Sequence, residues 1–439
     1  QVTIIQPAID YLTASEAAYI VQDSDARLVV ASATLDVAGL RAELKDVPEV
    51  LTIGGEGSFD AALAGMPDTP PEGETRGAAM VYASGTTGKP KGILPELREA
   101  DIGEPVALTA VLVKLYGFTP DSVYLSTAPL YHTAPLKFSM VVNSMGGTVV
   151  ILEKFDPEKA LAAIETYKVT HSQWVPTMFV RVLQLPDEVR ARYDLSTLKY
   201  AIHAAAPCPV PIKERMIEWW GPVIYEYYGG SESVGQCAIT PEEWLQKKGS
   251  VGRASRGIVH VMSEDGQELG VNQTGLITFE GGSKFVYHKD PEKTARAFTK
   301  EGYGTFGDIG HIDEDGYVFL TDRRDYVINS GGVNIYPQEA ENLLASHPKV
   351  ADVAVFGIPH PEYGEEVKAV VQPRDPAEAG PALEAELIAH CRASMATNKC
   401  PRSIDFGNEM PREPTGKLLK RLIKARYWPA EAGQQKKVG

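Results

Sequence analysis

The sequence predicts an α/β fold in two domains, a large layered α/β domain followed by a small α+β domain. Over residues 1–322, short apolar runs alternate with segments of helical periodicity, which is typical of a largely parallel sheet covered by helices. Over residues 323–439 the pattern starts again on a smaller scale. The 439 residues, 44% of them hydrophobic and 23% charged, are enough for two domains with separate cores.

The large domain contains predicted strands and helices in alternation. The strands are expected in RLVVAS at 27–32, TVVIL at 148–152 and PVIYEYY at 222–228. Helices are expected over 156–169 and 209–221, where apolar residues recur at helical spacing. Asp156 is the predicted N-cap of the first of these helices, and Pro157 suits its first position.

The small domain mixes helices and strands. The periodicity predicts helices over 337–347 and 382–395 and strands over 349–358 and 365–373. Pro337 is expected to open the first of these helices. The seam between the domains lies in TDRRDYVINSGG at 321–332, which is charged and then rich in glycine.

Composition excludes several classes of function. The chain has 43 Lys and Arg against 58 Asp and Glu, a net charge of -15, which opposes binding to nucleic acid or to an anionic membrane. The four cysteines do not have metal-site spacing. No apolar run approaches the ~18 residues of a membrane span. We therefore expect a cytoplasmic protein without a nucleic-acid partner or a transmembrane segment.

The loop YASGTTGKPKG at 82–92 predicts a phosphate site. Its glycines allow close backbone approach, Ser84 and its neighbours offer hydroxyls, and Lys91 offers positive charge. Pro90 stands where a Walker A motif would have its second glycine, so the spacing disfavours a P-loop NTPase. A polar surface turn remains the alternative for this stretch taken alone.

The same loop resembles the pyrophosphate-binding loop of adenylate-forming enzymes, the superfamily of acyl-CoA synthetases, peptide-synthetase adenylation domains and luciferases. Similar motifs follow in the expected order: YYGGSESVG at 227–235, GYGTFGDIGHIDEDGYVFLTDRRD at 302–325, SGGVNIYPQEAE at 330–341 and PREPTGK at 411–417. The resemblance covers nearly the whole chain and is closest to bacterial fatty-acid and aryl-acid CoA ligases. It implies an adenylation domain and a small mobile C-terminal domain with its hinge near Asp325.

The resemblance implies a nucleotide site. Tyr228 would stack on adenine, and Glu232 would hold Mg²⁺ together with phosphate oxygens. Asp308 would accept the ribose hydroxyls, with Arg323 beside ribose and phosphate. The full set of implied ATP- and AMP-binding residues is Ser84, Gly85, Thr86, Thr87, Gly88, Lys91, Ala205, Ala206, Tyr227, Tyr228, Gly229, Ser231, Asp308 and Arg323.

Catalytic roles are implied for Lys417, Glu232 and His132. Lys417 follows a Pro-Thr-Gly turn, and a long cation there could reach both the attacking carboxylate and the α-phosphate. Glu232 would act through the magnesium ion. His132, in PLYHTAP at 129–135, would lie between acyl group and nucleotide, with a purely structural histidine as the alternative.

Binding of the other two substrates is implied by further segments. IHAAAPCP at 202–209 and HSQWVPTMF at 171–179 would line the acyl pocket through His203, Ala204 and Trp174. Gly331 and Gly332 would line the coenzyme A channel, because glycines let the thiol pass close to the backbone.

The activity that follows is ATP-dependent ligation of a fatty or aryl acid to CoA. The acid would become an acyl-AMP with release of pyrophosphate, and CoA would then take the acyl group. Two alternatives stay open: an adenylating enzyme that serves a carrier protein or an amine, and a non-catalytic nucleotide-binding relative. A homodimer is also left open.

One departure from the family pattern concerns the beginning of the large domain. QPAIDYLTASEAAYIVQDSDARLVV, at the start of the chain, resembles a stretch well inside the family's ligases. We therefore expect the large domain to lack on the order of a hundred residues at its N-terminus, and so to be shorter than the corresponding domain of the family's ligases. None of the nucleotide motifs lies in that part.

Overall fold

Strands and helices alternate along the large domain, as predicted. The computed structural model describes residues 2–4, 12–45, 49–55, 57–70, 72–83, 90–97, 99–331, 333–412 and 418–428. The strands of the large domain are β1 (Val2–Ile4), β2 (Leu28–Ser32), β3 (Glu49–Ile53), β4 (Ala78–Ala83), β5 (Lys91–Pro95), β6 (Val123–Ser126), β7 (Thr148–Ile151), β8 (His171–Trp174), β9 (Tyr200–His203), β10 (Ile224–Gly229), β11 (Gln236–Ile239), β12 (Arg253–Arg256), β13 (Ile258–Met262), β14 (Gly275–Glu280), β15 (Phe285–Tyr287), β16 (Asp308–Ile312) and β17 (Val318–Arg323). Its helices are α1 (Ala14–Asp23), α2 (Val37–Glu43), α3 (Ser58–Leu63), α4 (Ala107–Tyr116), α5 (Thr133–Ser144), α6 (Pro157–Tyr167), α7 (Pro176–Leu183), α8 (Asp187–Arg190), α9 (Val210–Trp220), α10 (Pro241–Gln246) and α11 (Pro291–Arg296).

A seven-stranded sheet forms the centre of this domain, with the order β12-β11-β10-β9-β8-β6-β7. The five strands β10, β9, β8, β6 and β7 are parallel to one another, and β11 and β12 are added antiparallel at one edge. Helices α6, α7 and α9 cover one face, and α4 and α5 cover the other. Cover on both faces explains why all four residues of β8 are buried.

The predicted helix over 156–169 is confirmed as α6. The Asp156 side chain accepts a hydrogen bond from the backbone N–H of Lys159 at 2.8 Å, and Pro157 occupies the first helical position. Lys168 ends the helix in the left-handed conformation. The predicted helix over 209–221 is observed as α9. A local capping signal was sufficient for the start of α6.

Three further sheets surround the central one, with the orders β1-β4-β5-β15, β13-β14-β16-β17 and β2-β3. Strands β4 and β5 are antiparallel, with Ala83 opposite Lys91, and they flank the predicted phosphate loop. Strand β15 pairs with β5, with Tyr287 opposite Ile93. This long-range pairing brings residues 287–296 next to Lys91.

The small domain confirms the predicted α+β pattern. Its elements are β18 (Ile328–Ser330), β19 (Val333–Ile335), α12 (Pro337–Ala345), β20 (Val350–His360), β21 (Gly364–Pro373), α13 (Pro381–Ser394), β22 (Ser403–Phe406) and α14 (Lys420–Lys424). The sheet has the order β19-β18-β21-β20, and β22 lies parallel to β21. Helices α12 and α13 pack against it around one apolar core.

A short 3₁₀ turn over Arg324–Tyr326 joins the two domains. The Asp322 carboxylate, at the end of the large domain, accepts the backbone N–H of Gln338 at 2.7 Å in the first turn of α12. The boundary at residue 322 and the hinge at Asp325 remain predictions. Within the described part of the chain, no helix is long and apolar enough to cross a membrane.

Candidate active site

Three predicted nucleotide-binding residues form one bonded unit. Tyr228 lies near the end of β10 and donates its hydroxyl to Oδ2 of Asp308 at 2.5 Å. Arg323 Nε contacts the other carboxylate oxygen, Oδ1, at 2.8 Å. Asp308 begins β16 and Arg323 ends β17, and these strands pair directly. Two sequence motifs 80 residues apart therefore meet at a single carboxylate.

The charges of this unit are set by burial. Asp308 is only 5% exposed, and burial raises the pKa of its carboxyl while the Arg323 guanidinium and the Tyr228 hydroxyl oppose that shift. Burial and the neighbouring Asp308 charge raise the pKa of Tyr228 well above its usual range. Tyr228 is therefore a neutral donor, and its ring packs edge-on against Phe306 with centroids 5.5 Å apart.

Glu232 lies four residues beyond Tyr228 and has a partner that the sequence did not indicate. The hydroxyl of Tyr287, at the end of β15, donates to Glu232 Oε1 at 2.8 Å. Lys293 Nζ stands 4.0 Å from the centroid of the Tyr287 ring. Burial lowers the pKa of Lys293, and the carboxylates of Glu232 and Asp290 oppose that shift. No motif marked Tyr287 or Lys293, because only the β5–β15 pairing brings them here.

The surroundings of Glu232 fit a magnesium ion shared with a nucleotide. A Cβ at Gly230 would come within 2.6 Å of the Phe306 ring and 2.8 Å of Glu232 Oε2, so glycine leaves room for both side chains. Among the described residues, no group of three or more His, Cys, Asp or Glu could hold a metal ion by itself. Mg²⁺ typically takes one or two carboxylates together with phosphate oxygens and water. Glu232 would supply the carboxylate.

Lys91 is one of the residues of the predicted phosphate loop that the structure describes, together with Tyr82, Ala83, Pro90 and Gly92. Its Nζ lies 3.2 Å from Asp290 Oδ2, and Asp290 also caps α11 by accepting the backbone N–H of Lys293. Asp290 therefore links Lys91 to the start of helix α11, which carries Lys293. Ser84, Gly85, Thr86, Thr87 and Gly88 lie outside the described residues.

The first turn of α5 contacts the segment that carries Glu232, at Ser231. His132 immediately precedes this helix, and the Thr133 hydroxyl lies 3.0 Å from the Ser231 hydroxyl. The His132 ring is tilted against that of Tyr131, with centroids 4.5 Å apart. The motif PLYHTAP is therefore adjacent to GGSES, although the catalytic role of His132 stays a prediction.

Comparison with known proteins identifies the family. The family model described as AMP-binding enzyme matches residues 3–285, and the model of the AMP-binding enzyme C-terminal domain matches residues 339–417. The chain belongs to the AMP-binding enzyme family. It is thus a member of the adenylate-forming superfamily and an enzyme of the acid–thiol ligase class.

Individual relatives of this AMP-binding enzyme support that assignment. The chain is 33% identical over 404 residues to 3-[(3aS,4S,7aS)-7a-methyl-1,5-dioxo-octahydro-1H-inden-4-yl]propanoyl:CoA ligase of Rhodococcus jostii (strain RHA1), covering 86% of this chain and 74% of the relative. ATP-bound MatB from Rhodopseudomonas palustris superposes with a TM-score of 0.82 at 30% identity, over 97% of this chain and 84% of MatB. The amide bond synthetase McbA from Marinactinospora thermotolerans superposes with a TM-score of 0.80 at 27% identity, over 95% of this chain and 83% of McbA.

The other residues that were predicted to bind the nucleotide lie on strand β10 or directly after strand β9 of this AMP-binding enzyme. Tyr227 and Gly229 lie on β10, beside Tyr228, and the Tyr227 ring stacks on Phe138 with centroids 6.1 Å apart. Ala205 and Ala206 follow β9 and are exposed. Ala205 has a φ of 75°, which is strained for a residue with a Cβ. The ends of two adjacent parallel strands thus border the site.

All three predicted acyl-pocket residues lie in the protein interior. Trp174 is 1% exposed, belongs to the core around Phe179, and donates its indole N–H to Ser172 at 2.7 Å. His203 is fully buried, with Nε2 3.4 Å from Glu226 Oε2. Ala204 is also buried. Both larger side chains have protein partners in this structure, and their contact with an acyl group stays a prediction.

The segments predicted for thioester formation are described in part. Gly331 has a φ of 60° and donates its N–H to the carbonyl oxygen of Tyr363 at 2.8 Å. Asp325 lies within the 3₁₀ turn between the domains. Gly332 and Lys417 lie outside the described residues.

Asp308→Asn is expected to raise the KM for ATP about 10- to 100-fold, because hydrogen bonds to a charged group are worth about 1.5–3 kcal/mol. The asparagine keeps the shape of the side chain. It loses the negative charge that orients Arg323, and it has one acceptor oxygen where the carboxylate has two. This KM is measured by acid-dependent ATP–pyrophosphate exchange at varied ATP concentration. Asp315→Asn is the matched control, since Asp315 is an exposed turn residue paired with Lys247. An unchanged KM for Asp308→Asn would contradict the prediction.

Proposed function

We propose that this protein is an ATP-dependent carboxylate–CoA ligase that acts on a fatty or aryl acid. The bonded unit of Tyr228, Asp308 and Arg323, next to Glu232, is the observation that carries the proposal. It joins groups suited to ribose and phosphate from separate motifs of the chain. The similarity to CoA ligases adds the acceptor, coenzyme A.

In the first half-reaction a carboxylate oxygen attacks the α-phosphorus of ATP, and the bond to pyrophosphate breaks. Asp308 and Arg323 would hold the ribose, while Lys91 and Lys293 would face the departing phosphates. Bound at Glu232, Mg²⁺ would neutralise phosphate charge. Lys417 would offset the negative charge that builds between the carboxylate and the α-phosphate.

In the second half-reaction the CoA thiol attacks the acyl carbonyl, its proton is lost, and AMP leaves. The small domain would turn about Asp325 so that Gly331 and Gly332 line the path of the thiol. Tyr363 would lie at this path, because its carbonyl oxygen accepts the N–H of Gly331. Its ring stacks on His360 with centroids 4.7 Å apart, and Arg402 lies 4.6 Å from its centroid. We propose that this stack contributes to binding CoA.

Tyr363→Ala is expected to raise the KM for CoA about tenfold, because an aromatic contact of this kind is worth about 0.5–1.5 kcal/mol beyond its buried area. Acid-dependent ATP–pyrophosphate exchange, which needs no CoA, should stay within about twofold of the parent enzyme. Thioester formation at varied CoA concentration provides the measurement. Tyr167→Ala, at an exposed tyrosine on α6, is the control. An equal loss in both half-reactions would contradict a role in CoA binding.

The proposal as a whole is tested by ATP–pyrophosphate exchange with a panel of short, long and aryl acids, followed by product analysis with CoA. We expect exchange with at least one acid and a CoA thioester from that acid. Amide formation is the second candidate, favoured by the similarity to the amide bond synthetase McbA. Exchange that yields amides or carrier-bound acyl groups but no CoA thioester would replace the proposal. ATP binding without any exchange would indicate a non-catalytic relative.

A further inference from the structure

Lys137 is a partly enclosed cation on the helix that borders the site. Helix α5 starts at Thr133, whose hydroxyl lies 3.0 Å from that of Ser231. Lys137 follows four residues later, and side chains four residues apart share one face of a helix. Lys137 is half-buried. It therefore lies one helical turn beyond Thr133, on the side of α5 that faces the segment carrying Ser231 and Glu232.

Lys137 differs from the other enclosed lysines in its partners. Lys213 pairs with Glu226 at 2.5 Å, Lys420 with Glu341 at 2.7 Å, and Lys368 with Asp405 at 2.6 Å. Within the described residues, no ion pair or hydrogen bond joins the Lys137 ammonium to a carboxylate. Enclosing a cation without a counter-charge costs free energy that a bound anion would offset.

The charged neighbour of Lys137 is a second cation, Arg256. This residue ends β12 and lies opposite Gln236, just beyond the site segment. Its guanidinium donates to the Ser283 hydroxyl, and the Ser283 N–H donates to the carbonyl oxygen of Ser233 at 3.2 Å. Burial lowers the pKa of Lys137, and the nearby Arg256 charge lowers it further. Both cations therefore belong to elements that contact the segment 231–233, α5 through Thr133 and Ser231 and β12 through Arg256, Ser283 and Ser233.

We infer that Lys137 and Arg256 bind a second anionic group on the acyl substrate, so that the preferred acid carries an additional carboxylate or sulfonate. The inference rests on the proposed ligase function and names its substrate class. The reacting carboxylate would lie near His132, and the second anion would lie further along α5. A site that encloses polar groups for one substrate discriminates strongly against an analogue that leaves those groups unpaired.

The test compares acids that differ only in the second anion. ATP–pyrophosphate exchange is measured with pairs of a monoanion and the matching dianion. The pairs are butanoate with succinate, pentanoate with glutarate, hexanoate with adipate, and benzoate with each of the three benzenedicarboxylates. A sulfonated acid, sulfobenzoate, extends the set. We expect kcat/KM to favour the dianion in at least one pair by about 10- to 100-fold, the range for a hydrogen bond to a charged group.

Lys137→Met should lower kcat/KM for the preferred dianion about 10- to 100-fold and change that for its monoanionic partner less than about threefold. Lys137→Arg keeps the charge and should retain the preference. Arg256→Gln should show the same selective loss, which keeps the test decisive if Lys137→Met proves unstable by thermal unfolding. Lys159→Met, at an exposed lysine of α6, is the matched control and should leave both values unchanged.

Several outcomes would overturn the inference. If the enzyme supports exchange with monoanionic acids and prefers no dianion, the inference is wrong and the proposed function still stands. Equal losses for both acids of a pair, with a raised KM for ATP or pyrophosphate, would assign Lys137 to the phosphates instead. No exchange with any acid would overturn the inference and the proposed function together.

Discussion

Lys417→Ala is expected to lower acid-dependent ATP–pyrophosphate exchange about 10²- to 10³-fold, the usual effect of removing one group that stabilises transition-state charge. Lys417 stands at the end of PREPTGK and is expected to contact both the carboxylate and the α-phosphate. The described residues that flank positions 413–417 are held together, because Arg412 and Leu418 pair and the Leu419 N–H donates to the Pro411 carbonyl oxygen at 2.8 Å. Initial exchange rates at saturating ATP and acid give the measurement.

A second readout separates a catalytic loss from a structural one. When acyl-AMP and CoA are supplied directly, Lys417→Ala should form thioester within about threefold of the parent rate, since the cation acts in adenylation. Arg421→Ala, at an exposed residue of α14, serves as the matched control and should leave both half-reactions unchanged. Undiminished exchange in Lys417→Ala would remove this residue from its assigned role.

Lys213→Met is expected to lower the free energy of unfolding by about 3–5 kcal/mol, because it leaves a buried carboxylate without its partner. Lys213 is fully buried, and its Nζ lies 2.5 Å from Glu226 Oε2 and 4.7 Å from the centroid of the Trp244 ring. Burial raises the pKa of Glu226, but the charges of His203 and Lys213 outweigh it and lower this pKa to about 2. Glu226 is therefore ionised at neutral pH and needs the lysine.

Denaturant unfolding followed by tryptophan fluorescence checks this prediction, since Trp174, Trp219, Trp220 and Trp244 all lie in the large domain. The double variant Lys213→Met with Glu226→Gln should recover part of the loss, because it removes the unpaired charge. Lys248→Met breaks the surface pair with Glu214, whose side chains are 49% and 38% exposed, and should cost at most about 1 kcal/mol. Equal losses in Lys213→Met and Lys248→Met would contradict the prediction.

The sequence predicted those features that depend on neighbours along the chain. Asp156 and Pro157 marked the start of α6 because capping needs only the first helical turn. The strand pattern indicated a largely parallel sheet, and the motifs around Tyr228, Glu232, Asp308 and Arg323 indicated the family. Each of these signals is contained in a short segment.

The partners of these residues could be known only from the tertiary structure. Tyr287 reaches Glu232 because β15 pairs with β5, a contact between segments almost 200 residues apart in sequence. His203, which the sequence predicted to line the acyl pocket, is buried with its Nε2 3.4 Å from Glu226 Oε2, the same oxygen that Lys213 contacts. The absence of a carboxylate partner for Lys137 in the described structure is likewise invisible in the sequence. Local patterns encode helices, strands and motifs, but burial and charge pairing depend on which distant segments the fold brings together.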